Sequence, residues 1–133
     1  MASRSIDALA PVVKARAVAF IDECRACGLD VLIYCTLRTV EEQNDLYSFG
    51  RSRPGGILTN ARGGESLHNP DLNGDAWAFD AVPVKAGKPL WDDVQKIKLM
   101  GECGEAVGLE WAGRWSGKFR ERVHFQVKGG RYA

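Results

Sequence analysis

The sequence predicts an α+β domain in which a small, largely antiparallel sheet carries helices packed on it. Three observations point there. Helical spacing or a capping box marks helices at about 12–27, 40–49 and 92–107, and three short runs rich in β-branched or aromatic residues, 30–37, 77–84 and 123–127, separate and follow them. The chain of 133 residues is the length of one domain, so residues 1–133 read as a single unit that buries roughly two thirds of its unfolded surface. No glycine-rich strand-to-helix turn is present, since Gly101-Glu-Cys-Gly104 falls inside a predicted helix, which counts against a doubly wound fold and a nucleotide cofactor.

Val13, Ala17, Phe20, Ile21, Cys24 and Cys27 recur at helical spacing between Pro11, suited to a first turn, and Gly28, suited to a stop. Both cysteines fall on that apolar face, so both are expected to be buried thiols; a lone CxxC at a helix end has neither a zinc module's paired rhythm nor a redox motif's placement. Asp30 to Leu37 reads as a core strand through Val31, Ile33 and Tyr34. Thr39-Val-Glu-Glu42 is a capping box that opens the second helix and leaves Arg38 at a strand-to-helix corner. From Arg51 to Asp75, Gly, Pro, Asn and Ser crowd a stretch with neither period, which predicts a long surface loop. Trp77 to Val84 alternates, setting Asp80 on one face with Ala76 and Ala78 and Phe79 on the other with Ala81. The third helix carries Val94, Ile97 and Met100 and stops at Gly108; a loop with Trp111, Gly113 and Trp115 then leads to the last strand.

Composition narrows the function. Lys and Arg number 18 against 17 Asp and Glu, a net charge of +1, which lacks the basic footprint of a nucleic-acid binder or of a protein held on anionic lipid. No apolar run approaches the ~20 residues of a membrane span, and Lys14 and Arg16 stand where a signal peptide needs an uncharged segment, so the chain is expected to be cytoplasmic when made. With two histidines, a metal or acid–base site must combine His68 and His124 with carboxylates or thiols.

A lone His or a lone strand Asp usually has a structural role. Together, His68, Asp80 and His124 would give a zinc ion three ligands and leave a fourth position open, while Glu121, three residues before His124, could take up the proton of an attacking water. Asp71-Leu-Asn73-Gly74-Asp75 also resembles the opening of a calcium loop, but Val82 stands where the closing Glu of an EF-hand belongs, so an ordinary turn is favoured.

These residues carry a resemblance. Tyr34-Cys-Thr-Leu-Arg38-Thr39-Val-Glu-Glu-Gln43, Ser66-Leu-His68-Asn69, Ala76-Trp-Ala-Phe-Asp80, Gly108-Leu-Glu110-Trp111 with Trp115, and Glu121-Arg-Val-His124-Phe-Gln126 are similar to the L-alanyl-D-glutamate endopeptidase family of phage endolysins. That family belongs to the zinc D-Ala-D-Ala carboxypeptidase and dipeptidase group, which shares its fold with the hedgehog domain. The resemblance implies zinc held by His68, Asp80 and His124, Glu121 as the base, and Arg38 pairing with a substrate carboxylate or a developing oxyanion. The family's spacing from the first His lands on Asp75; setting 70–74 aside as an insertion restores the pattern at Asp80, with Ala76 in place of its Gly, and Asp80 is chosen with Asp75 as the alternative.

Ser66 either touches a ligand or the substrate, or holds its turn. Trp111 and Trp115 either wall a substrate cleft or pack, and Gln43 and Tyr47 read as helix-surface and packing residues. The implied activity is cleavage of the L-Ala–D-Glu bond in the peptidoglycan stem. The alternatives are a D-alanyl-D-alanine carboxypeptidase or dipeptidase and a non-catalytic wall-binding module. A monomeric endolysin of this kind would stay in the host cytoplasm until a holin let it reach the wall. A cationic cluster near the C-terminus, including Arg114, Lys118, Arg120 and Arg122, is either a wall-targeting patch or a solvated face.

Overall fold

A computed structural model of the chain describes residues 2–132. Helix α1 spans Pro11–Ala26, strand β1 Asp30–Cys35, α2 Val40–Ser48, β2 Ala78–Lys85, β3 Lys88–Pro89, α3 Val94–Ala106, β4 Leu109–Trp111 and β5 His124–Val127. The strands form one antiparallel sheet in the order β1-β2-β5-β4, with β3 paired to β2. The α+β expectation is borne out.

Local chemistry explains the helices. Proline begins α1, and Val13, Ala17, Phe20 and Cys24 are its buried stripe. The chain leaves it through Gly28, whose φ of 77° is the left-handed conformation that glycine adopts without strain. The capping box of α2 is formed: Thr39 Oγ1 accepts from the Glu42 amide at 3.0 Å, and Glu42 Oε1 accepts from the Thr39 amide at 2.9 Å. Asp93 caps α3 by accepting from the Lys96 amide at 3.1 Å.

Gly101 and Gly104 each weaken the interior of α3 by about 1 kcal/mol relative to alanine, and packing explains them. A Cβ at Gly101 would stand 2.2 Å from the Trp111 ring, and one at Gly104 2.4 Å from the Phe125 ring. The two glycines let α3 approach β4 and β5 closely. Beneath the helices, Phe20, Phe79 and Phe125 pack with ring centroids 4.8–5.4 Å apart and form the centre of the core. Because side chains alternate along a strand, Asp80 and His124 lie on the opposite face from Phe79 and Phe125.

The structure departs from the sequence reading in four places. Leu109–Trp111 is a strand, not loop, because its three residues pair with Phe125–Val127. A two-residue strand, Lys88–Pro89, folds back on β2 through Ala86 and Gly87, at φ 52° and 76°. Strand β1 ends at Cys35 rather than Leu37, with a register shift between Ile33 and Cys35. Cys24 is buried as expected but Cys27 is exposed, since it lies past the last turn of α1, where it caps the helix end at the margin of the core.

The stretch 51–75 holds no helix and no ladder strand, as its composition predicts. Side-chain amides fasten it: Gln43 Nε2 donates to the Ala61 carbonyl at 2.8 Å, Asn44 Oδ1 accepts from the Gly63 amide at 2.8 Å, and Asn60 Nδ2 donates to the Lys118 carbonyl at 3.1 Å.

Candidate metal centre

Sheet register assembles the site. Cys35, Asp80 and His124 are direct partners across β1, β2 and β5, forming one row over the sheet. His68 comes from the loop and is fixed by backbone on both sides: its carbonyl accepts from the Arg38 amide at 2.8 Å, and its own amide donates to Ser66 Oγ at 3.1 Å. Next to it, Asn69 is fully buried; its Nδ2 donates to the Arg38 carbonyl at 2.8 Å and its Oδ1 accepts from the Gly64 amide at 2.9 Å. The Arg131 guanidinium donates to the Asn69 carbonyl.

The two imidazoles stand 5.2 Å apart, edge to face, with one carboxylate between them. Asp80 Oδ1 is 3.1 Å from His68 Nε2 and 3.3 Å from His124 Nδ1. Each ring's other nitrogen is engaged behind the site: His68 Nδ1 donates to the Thr36 carbonyl at 2.8 Å, and His124 Nε2 donates to Gln126 Oε1 at 2.8 Å. Each ring thus presents its other nitrogen to Asp80, and that inner nitrogen becomes a ligating lone pair once its proton is given up, an orientation that acceptors behind the ring impose on metal-binding histidines. With the inner protons displaced, two imidazole nitrogens and a carboxylate oxygen that converge in this way are a donor set that fits zinc with an open position.

Electrostatics shows how tightly the groups are coupled without an ion. Burial pushes the His68 pKa down, but the Asp80 charge and its hydrogen bond outweigh burial and raise it to about 10. Burial likewise pushes Asp80 up, and the two histidines hold it well below the usual carboxylate range.

Glu121 Oε2 lies 4.0 Å from His124 Nδ1, with a half-exposed side chain that reaches water. Arg38 Nη2 is 3.9 Å from Asp80 Oδ2, and its guanidinium is held from behind, Nη1 donating to Gln43 Oε1 at 2.7 Å and Nη2 to Cys35 Sγ at 3.3 Å. These groups open on a cavity of about 530 Å3, with Tyr34, Thr59 and Trp115 among its walls.

The fold thus brings together His68, Asp80, His124, Glu121, Arg38 and Ser66. Asp75 is not among them; it closes the turn that Asp71 caps. Asp71 Oδ1 accepts from the Asn73 and Asp75 amides and Oδ2 from Trp77 Nε1, so this carboxylate serves the turn rather than a calcium ion. The two tryptophans divide. Trp115 walls the cavity with its ring 5.7 Å from that of His124. Trp111 does not reach it: the side chain is 5% exposed, faces Gly101 and Gly113, and donates to the Arg122 carbonyl at 2.8 Å.

Three residues gain a role that the sequence reading did not give them. Gln43 is fully buried, not a surface residue. Gln126 holds His124. Cys35 lies near enough to His68 and Asp80 to complete a three-ligand set, but its Sγ is 3.7 Å from Nδ1 of His68, the nitrogen already bonded to Thr36, which sets it behind the ring rather than at the centre.

No family model matches the chain. The chain is 35% identical over 128 residues to the peptidoglycan L-alanyl-D-glutamate endopeptidase CwlK of Bacillus subtilis (strain 168), covering 90% of this chain and 73% of that protein. It is 30% identical over 124 residues to the L-alanyl-D-glutamate peptidase of Listeria phage A118, covering 92% of this chain and 39% of the phage protein. Among solved structures, the L-Ala D-Glu endopeptidase ChiX of Serratia marcescens superposes with a TM-score of 0.64 at 21% identity, over 96% of this chain and 88% of that one. The D,D-pentapeptidase VanY of a VanB-type resistance cassette, solved with Zn(II), superposes at 0.63 and 13% identity, over 90% of this chain and 72% of that one.

Proposed function

The chain belongs to the L-alanyl-D-glutamate endopeptidase family, and from that premise we propose that it is a zinc peptidase that cuts the L-Ala–D-Glu bond of the peptidoglycan stem. The observation that carries the reading is the convergence of His68 Nε2, His124 Nδ1 and Asp80 Oδ1, with the Glu121 carboxylate 4.0 Å from the same His124 nitrogen.

His68, Asp80 and His124 would hold the zinc. Zinc in such a site supplies Lewis acidity, polarising a carbonyl and easing deprotonation of water. Glu121 Oε2 takes the proton from the attacking water and passes it to the leaving amine, a role that needs a carboxylate beside the ligands yet open to solvent. Arg38 stabilises the developing oxyanion or pairs with a substrate carboxylate; its two rear hydrogen bonds hold the guanidinium before the substrate arrives. Ser66 secures the turn that carries His68, and Trp115 offers a flat wall for the stem peptide.

Residues 1–133 act as one catalytic domain and as a monomer in this reading. The relative from a Listeria phage supports a lytic role, in which a holin-type protein releases the enzyme from the host cytoplasm to the wall. No helix among the described residues is long and apolar enough to cross a membrane. Digestion of purified peptidoglycan with fragment masses tests the proposal: new N-terminal D-glutamate supports it, and loss of terminal D-alanine alone overturns it in favour of a carboxypeptidase.

A further inference from the structure

His124 can offer either ring nitrogen, and the choice is made outside the centre. His124 and Gln126 are two apart on β5 and so share a face. Gln126 is the direct cross-strand partner of Glu110 on β4, and its Nε2 donates to Glu110 Oε2 at 3.4 Å. A carboxylate only accepts hydrogen bonds, so Glu110 turns the amide NH2 of Gln126 toward itself and the amide carbonyl toward His124. That carbonyl also only accepts, so His124 carries a hydrogen on Nε2, 2.8 Å away, and Nδ1, facing Asp80 at 3.3 Å, is the nitrogen left to serve as the inward donor to a metal.

The alternative is close at hand. Asp80 Oδ1, 3.3 Å from Nδ1, would draw the ring hydrogen to that nitrogen if nothing accepted at Nε2, and that tautomer cannot bind a metal through Nδ1. His68 is not open to the same adjustment by a side-chain change, since the acceptor behind it is the backbone carbonyl of Thr36.

We propose that Glu110 and Gln126 form a positioning relay that fixes the tautomer of His124 and through it the affinity of the centre for zinc. The inference rests on the metallopeptidase reading for its second half only, because the tautomer belongs to the chain with or without metal.

The experiment compares wild type, Glu110→Gln, Gln126→Leu and the exchanged pair Glu110→Gln with Gln126→Glu, all as full chains. Nitrogen NMR of the His124 ring in zinc-free protein reads the tautomer, and competition with a chelator reads zinc affinity. Wild type shows hydrogen on Nε2. Gln126→Leu moves it toward Nδ1 and weakens zinc about 10- to 100-fold, and Glu110→Gln gives mixed tautomers and a smaller loss. In the exchanged pair the new carboxylate accepts from Nε2 and receives amide hydrogens from position 110, restoring the tautomer and bringing affinity to within about threefold of wild type.

An unchanged tautomer in Gln126→Leu, or an exchanged pair that binds zinc no more tightly than Gln126→Leu, overturns the relay. If Gln126→Leu does not fold, Glu110→Gln decides: an unshifted tautomer there overturns it too. Wild type that takes up no zinc overturns the peptidase reading instead, while the tautomer still tests the relay.

Discussion

Gln43 and Arg38 are joined end to end: the amide oxygen of the first accepts from Nη1 of the second at 2.7 Å, while the amide nitrogen, turned the other way, donates to Ala61 in the cleft wall at 2.8 Å. One buried side chain therefore aligns the guanidinium and anchors the loop. Gln43→Leu keeps the volume but strands an Arg38 donor and the Ala61 carbonyl, so unfolding free energy falls by about 1–3 kcal/mol. In kinetics on defined muropeptides the Michaelis constant rises while zinc affinity holds. Unaltered urea unfolding and an unaltered Michaelis constant would contradict this.

On the proposed mechanism, Glu121→Gln would remove the proton acceptor but no ligand. Turnover of purified peptidoglycan should fall about 10^2- to 10^4-fold with one zinc still bound per chain. Metal analysis beside the digestion assay checks both halves, and a variant with wild-type turnover would remove Glu121 from the mechanism.

If zinc binds as proposed, its uptake is linked to a proton. In the metal-free chain His68 titrates at about 10 against an ordinary 6.5, so at neutral pH zinc must displace its proton. Affinity should therefore rise up to about tenfold per pH unit between 6.5 and 10, and calorimetry in two buffers near neutrality should show about one proton released per zinc. Stability without metal runs the other way. A raised His68 pKa contributes fully below 6.5 and is lost as pH climbs through 10, and a depressed Asp80 pKa contributes above 3.8 and is lost as pH falls below it. Melting of zinc-free protein should be highest at mildly acid pH and decline toward pH 10; a flat profile would show that the pair is not coupled.

Stripping the metal with a chelator should abolish hydrolysis, and zinc should restore it. Full activity in metal-free protein, verified by elemental analysis, would rule out the zinc reading.

Gly101→Ala forces a methyl group against the Trp111 ring, 2.2 Å from the new carbon. Overpacking of this kind costs about 1–3 kcal/mol, more than the helix gains from alanine. The urea midpoint should drop while zinc stoichiometry stays at one. A higher midpoint would mean that α3 and β4 can separate freely.

Helices were legible because their signals are local: Pro11, the Thr39–Glu42 box and the stops at Gly28 and Gly108 all act within a few residues. Strands β3 and β4 were not, since two or three residues are too few to show alternation and exist only through their partners. The charged residues of the site were legible through spacing and family pattern. Their supports were not. Gln43 meets Ala61, Asn69 meets Arg38, and Gln126 meets Glu110, contacts across 16–31 positions that neither period nor propensity encodes. Trp111 and Trp115 look alike in sequence, and only the approach of α3 through Gly101 sends one into the core.

Four neutral amides, Gln43, Asn44, Asn60 and Asn69, are among the side chains that fasten the wall of the cleft, beside the charged Arg51 and Arg131. Mobile ions shield the attraction between exposed charges within about 8–10 Å at ordinary salt but leave an amide–carbonyl bond almost untouched. Because Arg51 and Arg131 also meet neutral carbonyls rather than carboxylates, these fastenings should weaken little from dilute buffer to concentrated brine, and the ionic-strength response of a wall-cutting enzyme built this way should come mainly from its encounter with the charged polymer.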